Sequence, residues 1–288
     1  MSWTAADLPT FAGRTVIVTG ANSGLGLVTA RELARVGAHV ILACRNTAKG
    51  EEAAATMRGS VEVRPLDLQD LAAVKEFASG VDEVDVLINN AGIMAVPYAL
   101  TKDGFESQIG TNHLGHFALT NQLLPKLSER VVTVSSMMHL FGKISLKDLN
   151  WKSRPYSAWL AYGQSKLANL LFTQELQRRL DAVGSPVKSL AAHPGYSSTN
   201  LQAHTGNQLG TRFWDIGNTL LATSADFGAR QTLYAASQDL PGNSYVGPKF
   251  GMRGPTAVGP RSRLASNADT AKALWELSEQ LTGTGFPL

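Results

Sequence analysis

The segment Thr19-Gly20-Ala21-Asn22-Ser23-Gly24-Leu25-Gly26 decides how this chain is interpreted. It follows the apolar, β-branched run at residues 15–18, which is short enough for a buried strand. It leads into an amphipathic pattern at residues 25–36 that is typical of a helix. A strand, a glycine turn and a helix in this order present backbone N–H groups and a helix N-terminus to a diphosphate. The spacing Gly-x-x-x-Gly-x-Gly also fits a tight turn in any α/β protein, so this interpretation needs support from elsewhere in the chain.

The composition is that of an ordinary globular protein. The chain has 288 residues, 44% hydrophobic and 17% charged, enough for one large α/β domain. A net charge of +3 without a basic stripe argues against nucleic acid as a partner. The single cysteine, Cys44, rules out an internal disulfide and fits a reducing compartment. Since no apolar run approaches ~20 residues and no secretion signal opens the chain, we expect a cytoplasmic protein without membrane contact.

Apolar, β-branched runs alternate with helical patterns along almost the whole chain. The runs predict strands at residues 15–18, 39–43, 61–64, 84–88, 131–134 and 187–192, with a short last strand at 245–246. The helical patterns lie at residues 25–36, 48–57, 71–78, 105–127, 159–180, 225–237 and 270–281. This alternation implies right-handed crossovers and a doubly wound parallel sheet of Rossmann type, with helices on both faces. Because no linker or repeat divides the chain, we expect one domain over residues 1–288.

Two connections are longer than the others, at about residues 137–158 and 196–224. Both leave the carboxyl ends of predicted strands, where ligands bind in open α/β sheets. Long loops in compact domains are usually functional or mobile. Their apolar side chains either form an apolar substrate site or anchor the loops to the core. A further alternative is that residues 213–221 form a partly exposed helix that contacts a membrane or an apolar partner.

The end of the second predicted strand indicates which nucleotide is preferred. An NAD-binding protein usually places an acid there, to bond the ribose 2′-hydroxyl. This chain has Arg45 and Lys49 instead, and a guanidinium suits the 2′-phosphate of NADP. The alternative is that both are solvated surface charges. Asp67, followed by Leu68 beyond the third strand, is either an adenine contact or a turn carboxylate.

Tyr162 and Lys166 lie four positions apart on a long helical pattern and therefore share a face. A free tyrosine titrates near ~10, and a neighbouring ammonium together with an oxidised nicotinamide favours its phenolate. The same spacing occurs at Tyr98 and Lys102 and at Tyr245 and Lys249. Those two pairs fall on loop-like segments that contain or follow proline. The predicted strand before the long helix ends in Ser135-Ser136, so hydroxyls can meet the tyrosine at the sheet edge.

These motifs resemble, in order and over nearly the whole length, those of the short-chain dehydrogenase/reductase family. The resemblance implies a catalytic set of Ser136 (Ser135 being the less favoured choice), Tyr162, Lys166 and Asn112. It implies cofactor contacts at Gly20, Asn22, Ser23, Gly24, Leu25, Gly26, Arg45, Asp67, Leu68, Asn89, Asn90, Ala91, Gly92, Tyr162, Lys166, Pro194, Gly195 and Thr199. The segments 43–46, 112–117 and 165–169 and the insertion before Tyr162 look like the retinol dehydrogenase and protochlorophyllide reductase branch. That branch favours NADP(H) and apolar carbonyls or alcohols.

The resemblance implies hydride transfer between the nicotinamide and a carbonyl carbon, with Tyr162 as acid or base. Ser136 would donate a hydrogen bond to the reacting oxygen, Lys166 would bind the nicotinamide ribose, and Asn112 would anchor a relay water. A non-catalytic NADP(H)-binding sensor or scaffold on the same fold is the alternative. No metal is expected, because the six histidines and one cysteine show no metal-binding spacing. The sequence leaves open whether the chain is a monomer or a homo-oligomer.

Overall fold

A single eight-stranded sheet organises the computed structural model, which describes residues 2–195 and 225–288. The strands are β1 (Thr15–Thr19), β2 (His39–Cys44), β3 (Ser60–Pro65), β4 (Val84–Asn89), β5 (Leu127–Val134), β6 (Lys188–Ala192), β7 (Tyr245–Pro248) and β8 (Thr256–Val258). Their order across the sheet is β3-β2-β1-β4-β5-β6-β7-β8. The first seven strands are parallel, and β8 pairs antiparallel with β7. The strand order reverses between β1 and β4, which places a crevice at their carboxyl ends.

Helices cover both faces of this sheet. They are α1 (Gly24–Arg35), α2 (Thr47–Ala54), α3 (Leu71–Ser79), α4 (Ser107–Ile109), α5 (Gly115–Leu123), α6 (Ala158–Ala182), α7 (Ala225–Ser237) and α8 (Ala268–Thr282). A π-helical segment, Gly110–Leu114, joins α4 to α5. In the part of the chain described here, no helix is both long and apolar enough to cross a bilayer.

The alternation of side chains along the strands buries apolar residues on both faces of the sheet. Val16 and Val18 of β1 point to one face, where they pack with residues of α1 and α7. Ile17, between them, points to the other face and joins the core under α3, α5, α6 and α8. That second core contains Trp275 of α8, which stacks on Phe172 of α6 at 5.7 Å between ring centroids. Both faces of the central strands are buried, which explains why β1 and β2 are mainly apolar.

The predicted Rossmann-type fold is confirmed, with two corrections to its elements. The helix predicted over residues 105–127 ends at Leu123, because Pro125 cannot donate the hydrogen bond that a longer helix needs. β5 therefore begins earlier than predicted, at Leu127. The short antiparallel β8 was not predicted, since three residues between turns give no clear alternation.

Candidate active site

A cleft of about 1300 Å³ lies at the carboxyl ends of the central strands. The predicted site residues that line it are Gly20, Asn22, Ser23, Gly24, Leu25, Gly26, Arg45, Asp67, Leu68, Asn90, Ala91, Gly92, Ser136, Tyr162, Lys166, Pro194 and Gly195. The predicted contact Thr199 lies outside the described residues, as does the whole connection at 196–224. The structure thus brings segments from six different strand ends to one elongated space.

The glycine turn between β1 and α1 is shaped so that only glycine fits. Gly20 and Gly24 have φ of 65° and 55°, a left-handed conformation that other residues rarely adopt. A Cβ on Gly26 would lie 2.5 Å from the carbonyl oxygen of Gly20 and 2.5 Å from Asn90 Nδ2. This close packing keeps the turn tight and leaves its backbone open to the cleft.

The N-terminus of α1 is available to an anion. Ser23 is its N-cap residue, but the Ser23 side chain makes no capping hydrogen bond to the helix. The first N–H groups of a helix need partners, and the helix dipole favours a negative charge at that position. Because Ser23, Gly24 and Leu25 all line the cleft, the donors face the space that a diphosphate would fill. The turn therefore fits the pyrophosphate of a dinucleotide.

Basic groups stand at the end of β2. Arg45 follows β2 directly, and Lys49 lies in the first turn of α2. Both line the cleft, and no hydrogen bond or ion pair joins either side-chain cation to the described residues. Asn46 caps α2 by accepting a hydrogen bond from the Lys49 backbone N–H at 3.0 Å. The turn carboxylate Asp67 accepts from Gln69 N at 3.0 Å, and it also lines the cleft.

Thr19 connects the glycine turn to the end of β4. Its hydroxyl oxygen accepts hydrogen bonds from the backbone N–H groups of Asn90 at 3.0 Å and Ala91 at 2.9 Å. It also lies 2.8 Å from Nε2 of His116, whose Nδ1 is 3.2 Å from the carbonyl oxygen of Asn112. Because a carbonyl only accepts, Nδ1 of His116 carries the proton and the Thr19 hydroxyl donates to Nε2. Neither Thr19 nor His116 was singled out for this role from the sequence.

Asn89 does not reach the cleft, although it belongs to the predicted Asn-Asn-Ala-Gly cofactor segment. It is 1% exposed, and its side-chain amide donates to Thr120 Oγ1 at 2.9 Å. As the last residue of β4, it points into the core beneath the sheet, whereas Asn90 beyond the strand lines the cleft. Asn89 thus supports the sheet, and the structure does not place it where it could touch a cofactor.

Ser136, Tyr162 and Lys166 meet at the other end of the cleft. Ser136 follows β5, while Tyr162 and Lys166 share the inner face of α6. Ser136 and Tyr162 line this same end of the cleft, and the Ser136 side chain acts to lower the pKa of the Tyr162 phenol. Lys166 Nζ lies 5.6 Å from the centre of the Tyr162 ring and donates to the carbonyl of Val134 at 3.1 Å. Ser135 is turned away, because its hydroxyl donates to the Lys166 carbonyl at 2.8 Å.

Burial dominates the acidity of this group. It raises the pKa of Tyr162 to about 12, against which the Ser136 hydrogen bond acts only in part. Burial also lowers the pKa of Lys166 to about 8, because a charged amine loses hydration there. A neighbouring ammonium together with an oxidised nicotinamide is expected to lower the tyrosine pKa. The residues of the protein alone raise it instead. Desolvation is the largest influence on this phenol, so Tyr162 keeps its proton at neutral pH.

Asn112 lies beneath this group, in the π-helical segment. Its side chain bonds both backbone groups of Ile93, accepting at 2.9 Å and donating at 3.0 Å, and donates to Ser165 Oγ at 2.8 Å. A Cβ on Gly92 would lie 3.1 Å from Asn112 Oδ1 and 3.5 Å from Lys166 Nζ. π-helical turns often mark functional sites, and this one positions the Gly92 loop against α6. The role of Asn112 in a proton relay stays a prediction.

The catalytic end of the cleft has an apolar wall. Its members are Met137, Met138, Leu140, Phe141, Trp159 and Met252. Phe141 is 66% exposed and Met252 50%, so the wall continues to the rim. Met252 comes from the turn between β7 and β8 and was not predicted, because that hairpin was missed. Trp151 and Tyr156 of the same long connection pack against each other inside the loop instead, at 5.7 Å between ring centroids.

Among residues 2–195 and 225–288, no group of three histidine, cysteine, aspartate or glutamate side chains is arranged to hold a metal ion. The described polar groups of the cleft suit an organic anion. They include backbone N–H groups, the hydroxyls of Ser136 and Tyr162, and three cations at Arg45, Lys49 and Lys166, beside the carboxylates of Glu52 and Asp67.

Comparison with known proteins agrees with this geometry. The sequence model described as short chain dehydrogenase matches residues 14–210. The chain is 43% identical to human retinol dehydrogenase 13, over 96% of this chain and 87% of that protein. A crystal structure of an uncharacterised Mycobacterium paratuberculosis protein is 69% identical, with a TM-score of 0.90 over the full length of both chains. A Beutenbergia cavernae protein assigned as an NAD(P)-dependent gluconate 5-dehydrogenase, with NADP bound at low occupancy, is 27% identical, with a TM-score of 0.58 over 79% of this chain and 91% of that one.

The match to the family model covers more than half of the chain, and the likeness to retinol dehydrogenase 13 covers nearly all of it. The glycine turn and the cleft suit a nicotinamide dinucleotide, and the fold is the one that the relatives share. The chain belongs to the short-chain dehydrogenase family, in its retinol dehydrogenase-like branch, and is an oxidoreductase that interconverts carbonyl and alcohol groups with a nicotinamide nucleotide.

Proposed function

We propose that this protein is an NADP(H)-dependent oxidoreductase that interconverts an apolar carbonyl compound and its alcohol, with Tyr162 as the acid–base group. The convergence of Ser136, Tyr162 and Lys166 at one end of a dinucleotide-sized cleft, with Lys166 Nζ 5.6 Å from the centre of the Tyr162 ring, carries this proposal. A sensor or scaffold would need the cleft but not this buried convergence of a phenol, a hydroxyl and an amine.

The side chains divide the chemistry among them. A bound nicotinamide nucleotide supplies or accepts the hydride. Tyr162 gives its proton to the oxygen of the substrate in reduction and takes it back in oxidation. Ser136 donates a hydrogen bond to the same oxygen, where negative charge develops. Lys166, held by the Val134 carbonyl, places a positive charge near the phenol and a donor toward the nucleotide ribose.

The basic end of β2 supports NADP(H) over NAD(H). Arg45 and Lys49 line the cleft where the adenosine ribose would lie, and the segment after β2 has no acid before them. A guanidinium can bond a phosphate with two parallel donors, whereas an NAD-specific site needs a carboxylate for the 2′-hydroxyl. The carboxylate of Glu52 also lines the cleft, one helical turn beyond Lys49.

The substrate class follows from the wall around Ser136 and Tyr162. Methionine, leucine, phenylalanine and tryptophan side chains form it, and no described cation or carboxylate other than Lys166 lines that end. Burying apolar surface would bind an apolar substrate, while a charged one would lose hydration without a partner. We therefore propose an apolar aldehyde, ketone or alcohol.

Replacement of Tyr162 by phenylalanine tests the proposal. We expect Tyr162→Phe to lower turnover by about 10²- to 10⁴-fold, the usual contribution of a general acid, with NADPH binding nearly unchanged. Tyr98→Phe is the matched control, since Tyr98 has the same spacing to a lysine but lies outside the cleft. Turnover is measured with NADPH and NADH on retinoids, steroids, medium-chain and aromatic aldehydes, and quinones. Full activity of Tyr162→Phe on any substrate that the wild type reduces would refute the assignment.

A further inference from the structure

We infer that His139 is a positioning residue for the reaction, and that it acts by fixing the backbone of Ser136. The inference rests on the proposed function, because it concerns the serine that donates to the reacting oxygen. His139 is 2% exposed and lies three residues after Ser136, in the 3₁₀ helix Met137–Phe141 that follows β5. Sequence reasoning favours a structural role for this histidine, so the structure extends it.

His139 binds the carbonyl oxygen of Ser136 twice. The His139 backbone N–H donates to it at 3.0 Å, and ring Nδ1 donates at 2.7 Å. Because a carbonyl oxygen has two lone pairs, these two bonds satisfy it fully. The hydrogen bond from the backbone N–H is an ordinary feature of a 3₁₀ helix. The second hydrogen bond, from the imidazole ring, requires a side chain with a donor at this position.

The same short helix orients the Ser136 side chain. Ser136 Oγ accepts a hydrogen bond from Met138 N at 3.2 Å, and this leaves its O–H free to donate. A serine hydroxyl has one proton, so the direction of that donor is set by what the oxygen accepts. Holding the Ser136 carbonyl therefore fixes the peptide from which Oγ projects, and Met138 fixes the remaining rotation.

The chemistry of the His139 ring suits a fixed donor. Burial lowers its pKa, so the ring is neutral at physiological pH, and the bond to a carbonyl requires the proton on Nδ1. The ring packs edge-on against Tyr245 at 5.7 Å with an interplanar angle of 88°. Nε2 has no hydrogen-bond partner among the described residues. The ring thus offers one donor, to one acceptor, in one orientation.

The 3₁₀ helix is also fixed relative to Tyr162. A Cβ on Gly142, directly after the helix, would lie 2.3 Å from the carbonyl oxygen of Gly163, the residue after Tyr162. A Cβ on Gly163 would lie 2.8 Å from the Met138 carbonyl oxygen. The two backbones are in direct contact, so the segment that carries Ser136 packs directly against the helix that carries Tyr162. At this contact, the His139 side chain holds the Ser136 peptide by its hydrogen bond to the carbonyl oxygen.

A double-mutant cycle tests the inference on the full-length protein with NADPH and a substrate from the panel above. We expect His139→Phe to lower kcat by about 10- to 100-fold, because a misplaced catalytic group costs about that much. NADPH affinity should change less than about twofold, since His139 does not line the cleft. His139→Asn keeps a donor near the Nδ1 position and should retain kcat within about threefold of the wild type.

The decisive comparison uses the Ser136→Ala background, in which a residue acting through the serine has nothing left to position. There, His139→Phe should lower kcat by less than about twofold further. If the two losses multiply, or if His139→Asn is as impaired as His139→Phe, the inference is wrong. Near-ultraviolet circular dichroism and the melting temperature check folding, and His139→Leu replaces the phenylalanine variant if that ring does not fit. An active Tyr162→Phe enzyme would instead refute the proposed function, so the two failures are distinguishable.

Discussion

The nucleotide end of the cleft is formed mainly by backbone groups, whereas the catalytic end is formed by side chains. At the nucleotide end, the cradle consists of backbone: a glycine turn, the open N-terminus of α1 and the loop after β4, with Arg45 and Lys49 at the margin. At the catalytic end, the working groups are side chains, and Tyr162 and Lys166 are 6% and 4% exposed. The first end needs close approach and positive charge. The second needs groups whose proton affinities differ from those in water.

The difference teaches where each kind of substitution acts. Backbone N–H groups cannot be removed by changing a side chain, so the nucleotide end is altered by adding atoms or by changing charge at its margin. The catalytic end is altered by removing a single polar group, and desolvation means that such a removal affects stability as well as rate. Four experiments sharpen this contrast, from the largest expected effect to the smallest.

Replacing Lys166 by methionine should separate activity from stability at the catalytic end. We expect turnover to fall by about 10²- to 10⁴-fold, since the charge beside Tyr162 is lost. Burial lowers the pKa of Lys166 from 10.5 to about 8, so keeping the amine protonated at pH 7 lowers the free energy of unfolding by about 3 kcal/mol. Lys166→Met should therefore raise the free energy of unfolding, measured in urea at pH 7.

The Val134 carbonyl limits the loss in that variant, because Asn169 Nδ2 also donates to it, at 3.0 Å. In the wild type, burial of the charged lysine lowers the free energy of unfolding below pH 8. This free energy should rise between pH 8 and 10.5, because over that range the unfolded chain keeps a proton on the lysine that the folded chain has released. A Lys166→Met protein that is less stable than the wild type at pH 7 would contradict this account.

Adding one methyl group to the turn should disable the nucleotide end. In Gly26→Ala, the new Cβ would meet the Gly20 carbonyl oxygen and Asn90 Nδ2 at 2.5 Å, so the turn must open. We expect NADPH affinity to fall by about 100-fold, or about 2.7 kcal/mol, as measured by fluorescence titration. Gly259→Ala is the control, because a Cβ there meets nothing within 4 Å. Equal NADPH affinity in both variants would show that the turn tolerates a side chain.

The cations Arg45 and Lys49, at the edge of the nucleotide end, should determine the preference for NADPH over NADH. We expect a smaller effect on affinity here than in Gly26→Ala. Arg45→Ala should weaken NADPH binding by about 10- to 50-fold, the value of a charge-assisted hydrogen bond, and leave NADH binding unchanged. Lys49→Ala should act in the same direction and less strongly, because an ammonium offers no parallel pair of donors. The ratio of kcat/KM for the two nucleotides checks this. Parallel losses for NADPH and NADH would mean that Arg45 does not contact the 2′-phosphate.

A buried histidine beneath the catalytic end should make stability depend on pH. Burial lowers the pKa of His113 to about 3, whereas the unfolded chain takes up that proton below about 6.5. The free energy of unfolding should then fall with decreasing pH below 6.5, by up to about 1.4 kcal/mol per pH unit for this group. His113→Phe should flatten the slope between pH 6.5 and 5 by that amount, whatever its effect on stability at pH 7. An unchanged slope would show that His113 is not neutral in the fold.

The sheet and most of its helices could be predicted because their signals are local. Short apolar runs, most of them rich in β-branched residues, mark β1 to β7, and glycine or proline stands in several of the turns between them. Asn89 shows the limit of motif matching, since adjacent residues at a strand end point to opposite faces and only Asn90 reaches the cleft. The single-domain organisation and the cytoplasmic location stay predictions.

The composition of the site was more accessible to sequence than its electrostatics. Tyr162 and Lys166 were found from helical spacing, which geometry alone determines. Their pKa values depend on how much water the folded chain excludes. Burial raises the tyrosine pKa, whereas the sequence argument concerned the opposite influence of the lysine and of an oxidised nicotinamide. His116 was missed as a supporting residue, and His139 was given only a structural role, because each bonds a backbone carbonyl that no side-chain pattern reveals.

The Thr19 hydroxyl joins three stretches of chain that are far apart in sequence. It is the shared anchor of the loop after β4 and, through His116, of the helical turn that holds Asn112. A valine there would have nearly the same shape, yet it would strand two amides and an imidazole at once. The loop that lines the nucleotide cleft and the helical turn that holds Asn112 are therefore anchored by the same hydroxyl. Local unfolding that breaks the hydrogen bonds to one of them also frees the other.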